Sequence, residues 1–162
     1  MTTNPEIGAT VLAAGIRTNV HDTGFDPGGG TVLLIHGSGP GVSAWANWRL
    51  TIPALTPHFR VVAPDIVGFG YTERPNDAYD LDIWTQHVTG VLDALGIGRA
   101  AVMGGSAGGP SALQMAIRHP DPVLDKAAYE RDLAAARALD GAEREAALIK
   151  LQPAHQARNH AA

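Results

Sequence analysis

The sequence has no cysteine, few aromatic residues and no apolar run long enough to cross a bilayer. Cysteine is absent from all 162 residues, and 6% of them are aromatic. The missing thiols exclude disulfides, thiolate catalysis and cysteine-based metal sites. The formal net charge is −4, so we expect neither nucleic acid nor an anionic membrane as a partner. The longest strong apolar runs, such as residues 32–35, have the length of a strand.

The first residues also lack a targeting pattern. Residues 1–6 read Met-Thr-Thr-Asn-Pro-Glu, without the basic stretch and the following apolar stretch of a secretory signal peptide. We therefore expect a soluble, cytoplasmic protein. Apolar residues make up 45% of the chain, and 19 glycines and 11 prolines indicate many turns. This composition is typical of a globular domain with one core.

Segments of strand and helix character alternate through most of the chain. Loose alternation over 9–22 predicts a hairpin of two edge strands that turns near Ala14 and Gly15. Short apolar runs predict three buried strands: 31–35, 59–63 and 99–103. Helical spacing predicts three helices that follow them: 44–55, 82–95 and 106–118. In the third helix we expect four apolar residues to lie largely in the core: Leu113, Met115, Ala116 and Ile117. Ser43 is the expected N-cap of the first helix. This order predicts a parallel sheet with right-handed crossovers and helices on both faces.

The most informative stretch joins the third apolar run to the third helix. Residues 104–108 read Gly-Gly-Ser-Ala-Gly, the pattern of a nucleophile elbow with Ser106 at its tip. A serine there takes strained backbone angles, and a side chain at position 104 or 108 would clash with neighbouring backbone. Because the hydroxyl lies at a helix N-terminus, backbone N–H groups could stabilise an oxyanion. A glycine-rich connection with an incidental serine is the alternative.

Two more loops follow the other predicted parallel strands. Residues 36–41 read His-Gly-Ser-Gly-Pro-Gly, and residues 65–70 read Asp-Ile-Val-Gly-Phe-Gly. Carboxyl ends of parallel strands meet at one edge of a sheet, and ligand sites of such sheets lie there. We therefore predict a site where the three loops converge. Glycines 28–30 lack the lysine and the helix of a phosphate-binding loop, so we interpret them as an ordinary loop.

The chain changes character after Pro120. Residues 121–152 are rich in alanine, leucine, glutamate and arginine, which predicts a helical tail, continuous or broken at Gly141. Residues 153–162 are expected to form a disordered terminus. We identify no further strand among the 42 residues that follow Pro120.

These motifs together resemble the α/β-hydrolase fold over about residues 15–120. The segment His36-Gly-Ser-Gly-Pro-Gly-Val-Ser-Ala-Trp-Ala-Asn47-Trp-Arg is similar, more narrowly, to the meta-cleavage product hydrolases. Those enzymes hydrolyse a carbon–carbon bond in 2-hydroxy-6-oxo-dienoates formed by ring opening of catechols. The resemblance implies a three-layer fold with a parallel core, of which residues 1–120 would be the N-terminal part. It also implies a serine hydrolase of small organic molecules that needs neither metal nor organic cofactor.

The resemblance assigns roles residue by residue. Ser106 would be the nucleophile, or a group that assists attack by water after ketonisation of the substrate. The oxyanion hole would use the backbone N–H of Ala107 and an N–H of Ser38 or Gly39. Asn47 matches an asparagine that contacts the substrate, and an exposed helix asparagine is the alternative. The resemblance makes His36 a structural histidine and Asp65 an organiser of loops, not members of a catalytic triad.

Departures from the family pattern leave the activity open. Relatives commonly have asparagine where this chain has Gly105, so esters and other acyl compounds are alternatives to a dienoate. In this fold the triad acid and base follow later strands, in the order Ser, Asp or Glu, His. Those strands and the lid are not found in the sequence, so the fold looks truncated. His155 and His160 follow Ser106 in the right order, but no predicted strand end presents them.

The sequence therefore leaves two classes of function open. We favour a serine hydrolase that cleaves a carbon–carbon, ester or acyl bond, and the alternative is a catalytically impaired or non-enzymatic binding protein. Residues 100–103 would form a bare apolar edge of the sheet, which favours a homo-oligomer. The histidines at positions 21, 58, 87 and 119 lack metal-ligand spacing, so no metal site is expected.

Overall fold

The computed structural model describes residues 4–24, 26–76, 78–119 and 138. All described helices and strands lie in the first of the chain's two units, Met1–His119. Apart from Ala138, the predicted helical tail and the predicted disordered terminus lie outside the described residues.

Five strands in the described part of the chain form one mixed sheet. They are β1 (Ala9–Ala13), β2 (Ile16–Asp22), β3 (Thr31–Ile35), β4 (Arg60–Pro64) and β5 (Ala101–Gly104). Their order across the sheet is β1-β2-β4-β3-β5. β3 pairs in parallel with β4 and β5, whereas β2 pairs antiparallel with β1 and β4. The predicted hairpin and the predicted parallel core are both confirmed.

Helices cover both faces of this sheet. They are α1 (Ala44–Trp48), α2 (Thr51–Leu55), α3 (Leu81–Ala94) and α4 (Gly108–Arg118). α1 and α2 pack over a core that contains Leu34 and Val61, while α3 and α4 pack over a core that contains Leu33 and Val62. Successive residues of a strand point to opposite faces, so β3 and β4 are buried on both. None of the described helices is long and apolar enough to cross a membrane.

The predicted helix over 44–55 is wrong, because two short helices take its place. Arg49 and Leu50 separate α1 from α2. Pro53 explains the break. It has no N–H to donate to the carbonyl of Arg49, and its ring would clash with that carbonyl in a continuous helix. In α2, Pro53 lies in the first turn, where a residue needs no N–H to donate and no carbonyl of a preceding turn meets the ring.

β5 is also less buried than its apolar sequence predicts. Ala101 is exposed, and 44% of Met103 is accessible to solvent. β3 is the only neighbour of β5 in the described sheet, so the other edge of β5 has no strand beside it there. The predicted burial of this strand is wrong, whereas the predicted bare edge is observed within the described residues.

α4 presents a different face to the core than its sequence predicts. Ser111 and Met115 are buried against its neighbours. Three apolar residues expected in the core are exposed instead: Leu113, Ala116 and Ile117. The described sheet ends at β5, so only one side of α4 has the sheet and α3 to pack against. The helix also begins after Ser106, whose left-handed backbone cannot continue a right-handed helix.

Candidate active site

The three predicted loops do meet at one edge of the sheet. The strand register brings Ile35 of β3 beside Gly104 of β5, and β4 runs parallel to β3 on the other side. The N–H of Gly105 donates to the carbonyl oxygen of Ile35 at 2.9 Å. This bond joins the elbow to the strand end from which the loop 36–41 departs. The predicted convergence is confirmed.

Ser106 occupies the tip of the elbow in a backbone conformation that few side chains adopt. Its φ is 51°, in the left-handed region. A Cβ on Gly104 would lie closer than 3.0 Å to the carbonyl oxygen of Gly108, and one on Gly108 would approach that of Ile35 equally closely. Real Cβ atoms essentially never come so near, so both positions require glycine. The surrounding structure therefore holds the serine in a strained turn, as the motif predicts.

The loop 36–43, called the oxyanion loop below after its predicted role, passes directly against this serine. A Cβ built on Gly37 would lie 3.0 Å from Cβ and 3.6 Å from Oγ of Ser106. Ser38 and Gly39 follow Gly37, and Ala107 follows Ser106. Their three N–H groups donate to no acceptor in the part of the chain that the structure describes. The Ser106 side chain is exposed. The assignment of these N–H groups to an oxyanion hole stays a prediction.

Asn47 lies farther along, on α1. Its side chain is exposed, and its Nδ2 donates to the carbonyl oxygen of Ser43 at 3.2 Å. Both atoms of this contact lie at the start of α1, which fits the alternative that Asn47 is simply an exposed helix asparagine. A contact between Asn47 and a substrate stays a prediction.

His36 follows β3 but does not serve Ser106. Its Nε2 accepts from the N–H of Ile66 at 2.9 Å, which leaves the proton on Nδ1 to donate to the carbonyl oxygen of Gly37 at 2.6 Å. Burial lowers the pKa of His36, so the neutral form is favoured. Both ring nitrogens are thus used to join two loops, in keeping with the structural role that the resemblance implies. The tail histidines that follow Ser106 lie outside the described residues.

Asp65 is a second buried anchor. Its carboxylate accepts from Nδ2 of Asn19 and from the N–H of Tyr71, both at 2.8 Å, and from the N–H of Ala44. Its carbonyl oxygen accepts from Oγ1 of Thr72 at 2.8 Å. The side chain has no exposed surface. These bonds join β2, the start of α1 and the loop after β4, which fits an organiser of loops and not a triad acid.

His87 supports the same loop, and sequence reasoning missed this role. Its Nδ1 accepts from the N–H of Val67 at 3.2 Å, and its Nε2 donates to Oγ1 of Thr18 at 2.7 Å. Burial, with a smaller electrostatic contribution from His36, lowers the pKa of His87 to about 4. Two neutral imidazoles therefore hold the consecutive N–H groups of Ile66 and Val67. The sequence signal was a single polar residue within the apolar stripe of α3.

The described residues contain no group of three or more histidine, aspartate or glutamate side chains that could hold a metal ion. His21 instead contacts the carbonyl oxygen of Glu6 at 3.2 Å and stacks against Trp45, with ring centroids 5.4 Å apart. Independence from metal and organic cofactors stays a prediction.

Comparison with known proteins decides the family. The model of the alpha/beta hydrolase fold matches residues 30–125. The chain belongs to the α/β-hydrolase family. A 2-hydroxymuconate semialdehyde hydrolase of Pseudomonas sp. (strain CF600) is 58% identical over 121 residues, which cover 74% of this chain and 42% of that protein.

Solved structures agree with this placement of the α/β-hydrolase chain. The meta-cleavage product hydrolase of Pseudomonas fluorescens IP01 matches with a TM-score of 0.69 and 54% identity, over 73% of this chain and 43% of that one. A serine hydrolase involved in carbazole degradation matches with a TM-score of 0.65 and 34% identity, over 71% and 44%. The resemblance to meta-cleavage product hydrolases is confirmed. The chain spans about two fifths of the length of these relatives.

Proposed function

We propose that this α/β-hydrolase chain carries the nucleophile of a serine hydrolase that acts on a carbon–carbon, ester or acyl bond of a small organic molecule. Ser106 would attack the carbonyl carbon or assist water in doing so. The observation that carries the proposal is the strained, exposed Ser106 beside free N–H groups. A non-glycine residue held at positive φ is costly and persists where the surroundings enforce it, often at functional sites.

In this mechanism the charge that develops on the substrate oxygen is neutralised by backbone donors. The N–H of Ala107 and an N–H of Ser38 or Gly39 form the oxyanion hole, and Asn47 contacts the substrate. A serine hydroxyl is a weak nucleophile without an adjacent base. An oxyanion hole with binding alone retains roughly 10³–10⁴-fold acceleration over water. We therefore expect slow turnover from the described residues by themselves.

The test is covalent labelling of Ser106 by a fluorophosphonate probe, together with turnover of p-nitrophenyl esters and a 2-hydroxy-6-oxo-dienoate. We expect an adduct on Ser106 and no adduct in Ser106→Ala. Ser111→Ala is the matched control, because the Ser111 hydroxyl is buried without a hydrogen-bond partner in the described structure and lies outside the proposed machinery. A folded wild-type chain without adduct or serine-dependent turnover would overturn the proposal.

A binding protein without catalysis is the second candidate. Its supporting observation is that Oγ of Ser106 has no histidine partner within the described residues, since His36 and His87 direct their nitrogens to other groups. Tryptophan fluorescence can report binding, because Trp48 packs beside Gly105 at the elbow. Saturable quenching by phenylacetate in a chain that does not label would support this candidate. Labelling of Ser106 would exclude it.

We also infer that the outer edge of β5, which has no strand beside it within the described residues, joins two copies of this chain into a homo-oligomer. Exposed apolar side chains on β5 and on the helix that follows it support this inference: Met103 on the strand and Leu113 and Ile117 on α4 are exposed by 44%, 64% and 68%. Sedimentation velocity should show self-association that weakens in Met103→Lys. A wild-type chain that stays monomeric across concentrations would contradict the inference.

A further inference from the structure

The segment before β1 is held against the oxyanion loop by Glu6. Oε2 of Glu6 accepts from Oγ of Ser43 at 3.0 Å. The backbone of Glu6 is anchored separately, because its carbonyl oxygen accepts from Nδ2 of Asn19 at 2.9 Å and contacts Nε2 of His21 at 3.2 Å. The carboxylate therefore reaches Ser43 from a backbone position that does not depend on that contact.

Ser43 stands where the oxyanion loop ends and α1 begins. Its Oγ accepts from the N–H of Ala46 at 3.0 Å, which confirms the predicted N-cap. A hydroxyl has one proton to donate, and here Glu6 receives it. Donation to a carboxylate is charge-assisted and stronger than a neutral hydrogen bond. The same hydroxyl with which Ser43 caps the helix thus also bonds Glu6 at the end of the loop.

Residues 39–42 of the oxyanion loop, unlike the buried His36 at its start, have little packing behind them. A cavity of about 530 Å³ is lined by residues 39–42 of this loop together with residues 68–71, Glu6 and Arg74. The N–H of Gly70 bonds the carbonyl oxygen of Val42 at 3.2 Å across the cavity wall. A loop backed by open space instead of core is held by such individual bonds. The bond from Glu6 to Ser43 is one of them.

We propose that Glu6 is a positioning residue of the oxyanion hole. Through Ser43 it sets where the N–H groups of Ser38 and Gly39 stand relative to Ser106. The inference rests on the proposed function, because those N–H groups are the proposed oxyanion donors. Glu6 itself touches no reacting atom and acts only through the loop.

The test compares Glu6→Ala, Glu6→Gln and Glu73→Ala in two measurements. Amide hydrogen exchange over residues 37–43 reports the loop without any activity. The rate of fluorophosphonate labelling at Ser106, or kcat against KM for an ester, reports the oxyanion hole. Glu73 is the matched control, since its carboxylate also accepts a bond, from the N–H of Arg17 at 3.1 Å, but lies on an exposed surface.

In Glu6→Ala we expect severalfold faster exchange over 37–43 and labelling slower by roughly 10- to 100-fold, the scale of a misplaced catalytic group. The loss should appear in kcat with KM nearly unchanged. Glu6→Gln should stay close to wild type, because its amide oxygen still accepts from Ser43. Glu73→Ala should leave both measurements unchanged. In a Ser43→Ala background, Glu6→Ala should add nothing, because the two residues act through one contact.

Unchanged exchange over 37–43 in Glu6→Ala would overturn the positioning role, as would additive effects in the Ser43→Ala background. Failure of the proposed function looks different. In that case wild type does not label, while hydrogen exchange in Glu6→Ala still decides whether Glu6 holds the loop.

Discussion

The two sides of the candidate site are built in opposite ways. On the anchored side, the loops 36–43 and 65–72, polar side chains such as His36 and Asp65 are buried and fully engaged in hydrogen bonds. On the elbow side, residues 104–109, the serine is exposed and its backbone is strained. Buried polar groups must be paired to be tolerated. Stability is therefore concentrated in the anchored side, whereas the proposed reactivity lies in the elbow.

Asp65→Ala should break the anchored side and produce the largest effect. Removal of the carboxylate leaves one of the two N–H bonds of Asn19 Nδ2 and the N–H groups of Ala44 and Tyr71 without their acceptor. At about 1–3 kcal/mol for each buried unsatisfied donor, the free energy of unfolding should fall by about 4 kcal/mol or more. Urea denaturation followed by circular dichroism measures it.

The control for this prediction is Asp93→Ala. Asp93 is exposed on α3, so its replacement should change the unfolding free energy by no more than about 0.5 kcal/mol. Equal losses in the two variants would show that the anchored side does not depend on Asp65.

The second-largest expected effect is a fall in the free energy of unfolding at acidic pH, which arises on the anchored side. The pKa of His87 is about 4 in the folded chain against 6.5 for the free side chain, so the unfolded chain binds more protons between these values. The stability due to neutral His87 is complete above about pH 6.5 and is lost as the pH falls toward 4. The loss should be roughly 3 kcal/mol at 1.36 kcal/mol for each pKa unit. Urea denaturation at pH 7.0, 5.5 and 4.5 measures the slope.

His87→Gln separates this effect from general acid sensitivity. Glutamine can accept from the N–H of Val67 and donate to Thr18 without taking up a proton, so the variant should show a shallower slope over this pH range. In this variant the free energy of unfolding should still fall somewhat at acidic pH, because the pKa of buried His36 is also lowered. Identical slopes in wild type and variant would argue against the assignment to His87.

Ser106→Gly should have the smallest effect of the three changes. It should raise the free energy of unfolding, whereas the two changes above lower it. Glycine adopts φ 51° without steric cost, so the free energy of unfolding should rise by about 1 kcal/mol. Ser106→Ala should gain nothing from this source, since alanine needs the same strained backbone. Both variants should fail to react with the fluorophosphonate. Equal stability of the glycine and alanine variants would mean that the elbow carries no such strain.

Much of the site could be predicted because its causes are local in sequence. The clash that requires glycine at position 104 is with the carbonyl oxygen of Gly108, within the same turn, so a short motif was enough to place Ser106. The side chains that hold the loops of the site could not be predicted, because each of them bonds a partner that is distant in the sequence. Glu6 and Ser43 are 37 residues apart, and His87 and Thr18 are 69 apart. No local pattern pairs residues at such distances.

The order of strands and helices, the hairpin and the tight turn at Ser106 were determined by the sequence alone, because periodicity and backbone sterics act between near neighbours. Tertiary structure decided the rest. β3 and β5 have similar apolar sequences, yet β3 is buried between two strands and β5 stands at an edge of the described sheet. Burial depends on what lies on the far side of an element, and a residue's own neighbours in the chain do not carry that information.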